Sequence, residues 1–592
     1  MKIAFLILIL LICISFTFSK NRIICLEPDD GAEFVSTENN IIIRFDNNFY
    51  LTQGELNKSI KVTGSAGKTY TGKIQSILDC SEVVFNPDLP FQPGERITVS
   101  ISGMLLKTFS NEKLFRYSFL TSIYKLEWDA MQSFENEFDG ELSNPIFSSP
   151  PDLPVLTVGI NNNPESGYIF LSNFRLGITS YTPYLIITDK NGIIYSYKEL
   201  TSNGMDFKKQ PNGNLTYFSV SKAKYYELGQ NFNVLDSFYC GNGYKTDQHE
   251  LIVLSNRHAL LMSYDLQVVN MSLIVPGGDT AANVTGLIIQ EIDENKNVVF
   301  QWRSWDHFLI TDAWHENMLA HTIDAVHGNA LEIDNDSNLM LSSRHLDEIT
   351  KINRTTGDII WRLGGKNNQF IFTNDTLKFT YQHAIRRISN GNITLYDNGN
   401  FHTPKFSRAL EYSINEAGRT VTKVWEFRNS PTAIFGPAMG YAQRLPGGNT
   451  LISWGTTNPT VTEVTPTGTK AFQMTLPTNM FSYRVFKFDW NGPPTSGGQE
   501  ISKVPSSYGL SQNYPNPFNP VTSISFDIPK AGFVSLLVFD ITGREIKNLV
   551  SENKEAGSYT IRFNGTNISS GLYFYRLVTG NFNSTQKMIL VK

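Results

Sequence analysis

The sequence predicts an all-β protein in which an N-terminal β-sandwich, a six-bladed β-propeller and a small C-terminal β-sandwich follow one another. The first observation is composition: 12% of the residues are aromatic and 18% are charged, with 40 Phe and 25 Tyr. This composition favours packed sheets over disorder or long solvated helices. The second observation is a succession of short alternating apolar runs separated by turn residues. The third is a repeat in the centre of the chain.

Size and charge limit the classes of protein that fit. A chain of 592 residues is too long for one core and suggests roughly three or four units of about 150 residues each, or fewer if one of them is a propeller. The net charge is −5 and the pI is near 6.0. No basic field is therefore available to attract nucleic acid.

The N-terminus has the pattern of a secretory signal. Lys2 precedes an apolar run, and Ser19 follows it. Because this run is shorter than the ~20 residues that a membrane span needs, we predict a removable signal peptide at residues 1–19 and no transmembrane span after its removal.

The cysteines leave two alternatives open. Cys13 lies in the signal peptide, and Cys25, Cys80 and Cys240 remain in the exported chain. In an oxidising compartment Cys25 and Cys80 can pair and leave Cys240 alone, or all three are buried thiols. The spacing of these cysteines does not match a CxxC metal motif.

Residues 21–125 are predicted to form the first β-sandwich, because strand-like runs at 41–45, 59–64 and 97–102 alternate with turn segments. The segment YSFLTS at 117–122 resembles the last strand of bacterial Ig-like domains, which usually serve as spacers or docking modules. The polar, proline-rich stretch that follows predicts a linker or first strand at 126–154.

Residues 155–490 contain two alternating kinds of unit. One is a turn, a β-run and an aromatic residue, as at 293–302 and 353–363. The other is a polar turn and an apolar strand, as at 334–344 and 389–399. They recur at intervals comparable with the roughly 40–50 residues of a four-stranded blade, and one hairpin pair cannot bury its own faces, so stacking around an axis is expected. The region predicts six blades.

The C-terminal region begins after a flexible linker predicted at 491–508. Residues 509–592 predict a small β-sandwich that contains YPNPFNP at 514–520. This region resembles the C-terminal sorting domains of type IX secretion cargo in Gram-negative bacteria. The resemblance implies transit through the periplasm, export by the type IX machinery, and either attachment to the cell surface or release.

All nine histidines lie between His249 and His402, within the predicted propeller. Three of them, His249, His327 and His383, stand at similar positions just before a polar-turn strand. Inner strands of propeller blades face one axial channel, so equivalent positions converge. A lone histidine at such a place is more often a turn residue, but three in register indicate a functional site.

The stretches DAVHGNALEIDNDSNLMLSSR at 324–344 and FTYQHAIRRISNGNITLYDNGN at 379–400 resemble the core of the bacterial arylsulfate sulfotransferases. The resemblance covers about 155–490. Its motifs fall on His327, Asn329, Arg344 and His383, and the earlier DQHE histidine falls on His249. One departure is Gly328, where the family often has a larger residue.

The resemblance implies a ping-pong sulfuryl transfer between an aryl sulfate donor and a phenol acceptor, without an adenylylated donor or any cofactor. His383 is then the nucleophile, and Arg344 grips the sulfuryl oxygens as only a permanently charged guanidinium can. His327 and His249 donate to those oxygens or move the phenol proton, and Asn329 orients one oxygen. The alternatives are a non-catalytic surface propeller that binds ligands or polysaccharide, and an aryl-sulfate hydrolase.

The remaining polar residues are assigned simpler roles. His345 and His258 are expected at the surface or in turns, and His307 and His315, in the aromatic loop 305–317, are left outside the site as rim, lid or packing residues. Three tryptophans at equivalent positions are expected in the core: Trp302, Trp361 and Trp425. Recurrent aspartates are expected to cap turns rather than bind Ca²⁺. No metal is expected, because an arginine in the same site repels a cation.

Overall fold

The computed structural model describes residues 22–49, 51–77, 81–106, 114–123, 150, 152–175, 181–493, 508–513, 515–554 and 557–591. The predicted signal peptide and most of both predicted linkers lie outside these residues. The chain divides into two units, Met1–Ser496 and Gly497–Lys592. Strands dominate both units, which confirms the predicted all-β class.

Helices contribute little to the described part of the chain, and each of those present is too short to cross a bilayer. The longest, α1, has seven residues.

The N-terminal strands form two four-stranded antiparallel sheets, β1-β2-β6-β5 and β4-β3-β7-β8. Their bounds, with those of two short helices, are β1 (Ile23–Glu27), β2 (Ile41–Phe45), α1 (Gln53–Ser59), β3 (Ile60–Gly64), β4 (Thr69–Tyr70), β5 (Gly72–Ile77), β6 (Glu82–Pro87), β7 (Arg96–Ser102), α2 (Gly103–Leu106) and β8 (Leu114–Leu120). Alternate residues of β7 point into one shared core, the period-2 pattern of a sheet with one buried face.

The central region begins with strands β9 to β22, one short α-helix and two 3-10 turns, at Met271–Leu273 and Ile310–Asp312. Their bounds are β9 (Thr157–Asn161), β10 (Tyr168–Ser172), β11 (Phe174–Arg175), β12 (Tyr184–Thr188), β13 (Ile194–Glu199), β14 (Gly204–Lys209), β15 (Leu215–Ser219), β16 (Lys224–Leu228), β17 (Val234–Phe238), β18 (Thr246–Val253), β19 (Ala259–Val269), β20 (Ala282–Ile292), β21 (Val298–Arg303), α3 (Ser304–His307) and β22 (Thr322–Asp324).

The central region continues with strands β23 to β37. Their bounds are β23 (Gly328–Ile333), β24 (Leu339–Ser343), β25 (Glu348–Ile352), β26 (Ile359–Gly364), β27 (Ile371–Thr373), β28 (His383–Arg387), β29 (Ile393–Asp397), β30 (Arg408–Asn415), β31 (Thr420–Phe427), β32 (Tyr441–Arg444), β33 (Thr450–Ser453), β34 (Val461–Val464), β35 (Lys470–Thr475), β36 (Met480–Phe481) and β37 (Phe486–Phe488).

Apart from the short β11–β36 pair, these described strands form six sheets, which we term A to F. Sheet A is β13-β12-β10-β37, sheet B is β14 to β17, sheet C is β18 to β21, sheet D is β23 to β26, sheet E is β28 to β31, and sheet F is β32 to β35 with β9. Strands β22 and β27 add to sheets C and E in parallel. Sheets A and F each join a strand from one end of the region to strands from the other.

Hydrophobic clusters connect the sheets in a closed sequence. Sheets A and B, B and C, C and D, D and E, and E and F share clusters of buried side chains in turn. Sheets F and A also share one. Each sheet therefore buries both faces against neighbours, which a lone four-stranded sheet cannot do.

The turns and tryptophans follow most of the sequence predictions. In the turn between β12 and β13, Asp189 Oδ1 accepts from the backbone N–H groups of Asn191 and Ile193 at 2.9 Å each, so the aspartate caps the turn as predicted.

Trp302 and Trp361 are buried, as expected. Trp425 is only partly buried, because its indole lies at the edge of its cluster under the Arg444 guanidinium, 4.6 Å from the ring centroid.

A network of buried charges joins β14, β18, β23 and β28, the first strands of sheets B to E, which we term the inner strands. Glu250 of β18 accepts hydrogen bonds from Lys208 of β14, from Arg386 of β28 at 2.6 Å, and from Arg484 at 3.1 Å. Arg484 also donates to the backbone oxygen of Asn329 in β23, at 2.8 Å. Burial raises the pKa of Glu250, but the three cations lower it well below its usual value. One ionised carboxylate therefore links four sheets and the segment that enters β37.

The N-terminal sandwich is bound to sheets C and D through buried polar groups. Arg44 of β2 pairs with Glu82 of β6 and donates to the backbone oxygens of Val299, at 2.6 Å, and Thr355, at 3.0 Å. Ser122 Oγ donates to Gln267 Oε1 at 2.8 Å. Because these buried groups hydrogen-bond across the contact, the contact is a fixed interface.

The cysteine alternatives are resolved in part. Cys25 and Cys240 are free thiols, and burial raises the pKa of each to about 12. Cys80 lies outside the described residues.

The C-terminal unit contains a three-stranded sheet, β38-β39-β42, and a four-stranded sheet, β41-β40-β43-β44, around its own core. Phe518 of the YPNPFNP motif is buried there, and its backbone N–H donates to Ile589 at 2.9 Å. The strand bounds are β38 (Gly509–Leu510), β39 (Val521–Ile528), β40 (Gly532–Asp540), β41 (Glu545–Lys554), β42 (Gly557–Asn564), β43 (Gly571–Thr579) and β44 (Phe582–Leu590).

Arg44→Met should lower the free energy of unfolding by about 3–5 kcal/mol, because it leaves the Glu82 carboxylate buried without its cation. Urea unfolding followed by tryptophan fluorescence measures the loss. The double variant Arg44→Met/Glu82→Leu should recover part of it, since it removes both buried charges. A double variant less stable than Arg44→Met would contradict the explanation.

Glu250→Gln should also lower the free energy of unfolding by about 3–5 kcal/mol, because three buried cations lose their common partner. The matched control is Glu332→Gln. Burial raises the pKa of Glu332 to about 7, so this carboxyl is already partly protonated at neutral pH and its replacement should cost much less. Equal losses for the two variants would contradict the role of the Glu250 charge.

Candidate active site

The three predicted histidines stand at the starts of three neighbouring inner strands. His249 lies in β18, His327 directly precedes β23, and His383 is the first residue of β28. In each sheet the pairing of this strand with the next one shifts register at or beside the histidine. Such bulges turn a side chain out of the regular alternation, and His327 has a left-handed backbone, with φ 49°.

These irregular strand starts bring the predicted residues to one place. His249, His327, Arg344 and His383 all line one cavity of about 780 Å³. The rings of His249 and His327 lie 5.4 Å apart, in an edge-to-face arrangement. Histidines separated by 134 residues of sequence therefore share one space.

The tautomer of His383 is set by Asn398. The Asn398 amide nitrogen donates to the backbone oxygens of Gly436, at 2.7 Å, and Met439, at 2.9 Å. Its Oδ1 therefore faces His383 Nδ1, at 2.7 Å, and accepts a hydrogen bond from it. Since Nδ1 carries the proton, the lone pair of the neutral ring is on Nε2, which accepts a long hydrogen bond from the Met439 N–H at 3.3 Å.

His383 is neutral at physiological pH. Its side chain is buried, and burial together with the positive charge of Arg344 and the neighbouring His327 holds its pKa well below the ordinary value. A buried imidazole with a fixed tautomer and an unprotonated Nε2 has the properties of a nucleophile.

The other two cavity histidines are each held by a carboxylate. His249 Nδ1 lies 2.5 Å from Asp247, and His327 Nδ1 lies 2.6 Å from Asp324. Burial raises the pKa of Asp324, but His327 outweighs it and the pKa falls below the usual value. The ring of Tyr264 packs against both imidazoles, and its hydroxyl donates to the backbone oxygen of Gly328 at 2.9 Å. Each pair has the form of a histidine–carboxylate proton-transfer group.

Arg344 is buried enough that its pKa falls below the ordinary value for arginine. One terminal nitrogen donates to His345 Nε2 at 2.6 Å, the other donates to the Pro437 oxygen at 3.1 Å, and the guanidinium lies 4.0 Å from the centre of the Tyr381 ring. Its Nε is buried without a hydrogen-bond partner among the described residues. A half-buried guanidinium whose Nε–H is unused among the described residues is suited to an anion.

The sequence predicts His345 at the surface or in a turn, and it lies in the turn between β24 and β25 but not at the surface. It is 6% exposed, its ring lies 4.7 Å from that of His327, and its Nδ1 donates to the backbone oxygen of Asp324 at 2.6 Å. Burial and the neighbouring His327 lower its pKa to about 4, so a neutral His345 accepts from Arg344 and holds the guanidinium in place. His258 does lie in a turn, where its Nδ1 is 2.8 Å from Glu291.

Asn329 does not line the cavity. It is fully buried; its amide nitrogen donates to the Gln382 oxygen at 2.7 Å, and its Oδ1 accepts from the Ala384 N–H at 3.4 Å. The side chain therefore ties β23 to the residues on either side of His383. This contact differs from the sulfuryl-orienting role that the family resemblance implies.

His307 and His315 lie outside the cavity and pack against other aromatic rings. His307 stacks on Trp302 with 4.8 Å between the ring centres. His315 lies 2.8 Å from Asp347 and stacks on Phe401 at 3.5 Å. Of the roles left open for them, packing describes both.

Asp324, His327 and His345 have ligand atoms within 4.8 Å of one another, and within the described residues this group is the candidate for a metal. A cation there would stand beside Arg344, which already contacts His345. This proximity opposes metal binding.

Sequence reasoning missed the residues that hold the histidines. Asp247 and Asp324 are two and three residues before their histidines, and that short spacing is a usable signal. Asn398 and Tyr264 reach the site from other strands, and Asn398 stands in a stretch that reads simply as the end of a strand. Only the folded arrangement relates them to the site.

Family models match three parts of the chain. They are the arylsulfotransferase (ASST) family at residues 161–484, the secretion system C-terminal sorting domain at 512–592, and the bacterial Ig-like domain at 20–121. The sorting domain indicates a secreted or cell-surface protein that the type IX secretion machinery handles. A search of curated proteins gives no significant match.

Solved structures with low sequence identity are also similar to the chain. A protein of unknown function from Bacteroides caccae is 11% identical, with 55% of this chain and 99% of that chain covered and a TM-score of 0.36. PorZ, a surface component of the type IX secretion system of Porphyromonas gingivalis, is 11% identical, with coverages of 97% and 70% and a TM-score of 0.30. Virginiamycin B lyase from Staphylococcus aureus is 11% identical, with coverages of 54% and 88% and a TM-score of 0.28.

These TM-scores are low, so the assignment to a family rests on the family model, which spans more than half of the chain and includes every cavity residue that the sequence predicted. The chain belongs to the arylsulfotransferase family.

Proposed function

We propose that this protein moves a sulfuryl group from a phenolic sulfate ester to a phenol through a sulfo-histidine at His383. One observation carries the proposal: a neutral imidazole with its lone pair on Nε2 lines the same cavity as a half-buried guanidinium. A nucleophile beside an anion-binding group is what sulfuryl transfer requires. The family match supports the same class of reaction.

In the first half-reaction, His383 Nε2 attacks the sulfur of the ester. The N–S bond forms as the S–O bond to the aromatic ring breaks, and the phenolate leaves with the electron pair of that bond. The ring gains positive charge while its Nδ1–H still donates to Asn398 Oδ1. A protonated His249 or His327, each beside a carboxylate, donates to the leaving oxygen, so a phenol departs.

During this step negative charge spreads over three sulfuryl oxygens. Arg344 is placed to bind them, because its charge is permanent and its Nε–H is unused among the described residues. His345 and Tyr381 fix the guanidinium from its other sides, so little reorganisation is needed at the moment of reaction. Removal of one such donor typically costs on the order of 10²–10³ in rate.

In the second half-reaction a phenol acceptor enters the same cavity. Its oxygen attacks the sulfur, the N–S bond breaks, and the electron pair returns to Nε2. The histidine–carboxylate pair that gave up its proton in the first step accepts the acceptor's hydroxyl proton. The proton balance closes over the cycle, and the scheme uses no cofactor.

We infer that sheets A to F are the six blades of one propeller at residues 155–490, with the site where the inner strands begin. The closed sequence of shared clusters supports this arrangement. By the same proposal, residues 1–19 are a removed signal peptide, 21–125 an Ig-like sandwich, 126–154 and 491–508 linkers, and 509–592 the sorting domain. Asn329 acts as a positioning residue for His383 in this scheme.

His383→Asn should abolish sulfuryl transfer, because the amide cannot form the N–S bond. The measurement is release of nitrophenol from nitrophenyl sulfate in the presence of phenol, with the intact mass of donor-treated protein as a second readout. The wild type should gain one sulfuryl group and lose it when phenol is added, whereas the variant should gain none.

The outcomes separate the alternatives. Full activity of His383→Asn would reject the nucleophile. Release by the wild type to water alone, without a new sulfate ester, would indicate a hydrolase. The absence of release from any aryl sulfate would favour a binding propeller.

Asn398→Asp should make the first half-reaction pH-dependent. A carboxylate at Nδ1 favours the protonated ring and raises the pKa of His383, so the profile of the variant's rate relative to the wild-type rate should fall as the pH falls from about 8 to 6. The nitrophenol burst, followed against pH, measures this. The control Asn335→Asp adds the same charge in an exposed turn and should leave the profile flat. A flat profile for Asn398→Asp would reject the assignment of the tautomer.

A further inference from the structure

The cavity that contains the histidines is not lined by the central sheets alone. Ser36, Thr37 and Glu38, together with Pro93 and Ser122, belong to the N-terminal sandwich and line it as well. We term these five residues the N-terminal wall. The wall and His383 therefore border the same space.

The N-terminal wall is built into the interface rather than resting on it. Ser122 is bound to Gln267, and the side-chain amide of Asn242 donates to Asn40 Oδ1 at 2.9 Å, two residues from the wall. Gly243 has a left-handed backbone with φ +77°, and a Cβ there would come within 3.0–3.1 Å of Ser36 and Glu38. Because Gly243 has no side chain, the backbone of the central region can pack directly against Ser36 and Glu38.

The size of the cavity exceeds the needs of the transfer step. Its volume of about 780 Å³ lies in the upper part of the range of about 300–1,000 Å³ found for pockets that hold drug-sized ligands. An ester with a single ring fills only part of it. The remaining space lies toward the N-terminal wall.

We propose that the N-terminal sandwich forms the far side of the substrate cavity and that the enzyme prefers phenols with an arm longer than one ring. This inference rests on the proposed sulfuryl transfer. The reacting hydroxyl lies at His383 and Arg344, while the arm lies against Thr37 and its neighbours.

The chemistry of the surroundings describes the arm. Ser36, Thr37 and Glu38 offer hydroxyls and a carboxylate, whereas Phe218 and Met439 line the same cavity with apolar surface. An arm with a flat apolar body and hydroxyl groups at its far end matches both, since hydroxyls donate to a carboxylate.

The test compares two acceptors with nitrophenyl sulfate as the common donor: phenol, which is short, and dihydroxybiphenyl, which carries a hydroxylated second ring. Thr37→Trp fills the space beside the wall, and Thr37→Leu fills less of it. For dihydroxybiphenyl, KM should rise by about tenfold or more with Trp and by less with Leu. For phenol, KM and the donor burst should stay within about twofold of the wild type.

Asn57→Trp is the matched control. Asn57 is exposed on α1, which leads directly into β3 at Ile60. Ile60 pairs with Ile101 near the end of β7, whereas Pro93 lies just before the start of β7. Asn57 is therefore at the opposite end of the sheet from Pro93. This variant should leave both acceptors unchanged. Titration of each variant with dihydroxybiphenyl in the absence of donor gives a readout without catalysis, in which Thr37→Trp should weaken binding by about tenfold or more.

An equal effect of Thr37→Trp on both acceptors, or unchanged dihydroxybiphenyl binding and KM, would overturn the inference. Failure of the proposed function is a different result: the wild type then releases no nitrophenol and gains no sulfuryl group. In that case the titration still decides whether the N-terminal wall contacts an extended phenol.

Discussion

The ionised carboxylate of Glu250 is the interaction on which the centre of the molecule depends. It draws together cations from β14, β28 and the segment before β37, and Arg484 extends the network to β23. Each of these charges costs several kcal/mol to bury alone. They are stable only as a set, so the inner strands have one mutual arrangement in which every charge has a partner.

This arrangement also places the site. His249 adjoins Glu250 in the chain, His383 is three residues before Arg386, and Asn329, whose oxygen binds Arg484, is two residues after His327. The charged residues and the histidines therefore occupy neighbouring positions on, or directly beside, the same strands. Tyr483, beside Arg484, has its ring 5.6 Å from that of His249. A change in the network is transmitted to the imidazoles over a few residues.

The strand pattern and the three histidines could be predicted from the sequence, because each is specified by a short stretch of residues. Alternation and turn residues specify each hairpin, and a histidine before a polar-turn strand can be recognised in each unit separately. The contacts of Asn398, His345 and the N-terminal wall were not predictable in this way. His345 follows Arg344 and lies in a turn, yet it is buried because the segment that enters the paired strand β23 places His327 against it. Such partners depend on how the ends of paired strands meet and on how the N-terminal sandwich packs, which no short motif records.

Burial explains two properties of the site at once. Removing His383 from water disfavours its charged form, which keeps Nε2 unprotonated and nucleophilic. Removing Arg344 from water leaves its Nε–H unsatisfied among the described residues and its charge poorly compensated. An entering sulfate ester compensates the charge and the unsatisfied N–H of Arg344. It leaves His383 neutral, and its sulfur faces the lone pair on Nε2. The same low-dielectric environment therefore selects an anion and keeps the nucleophile ready for it.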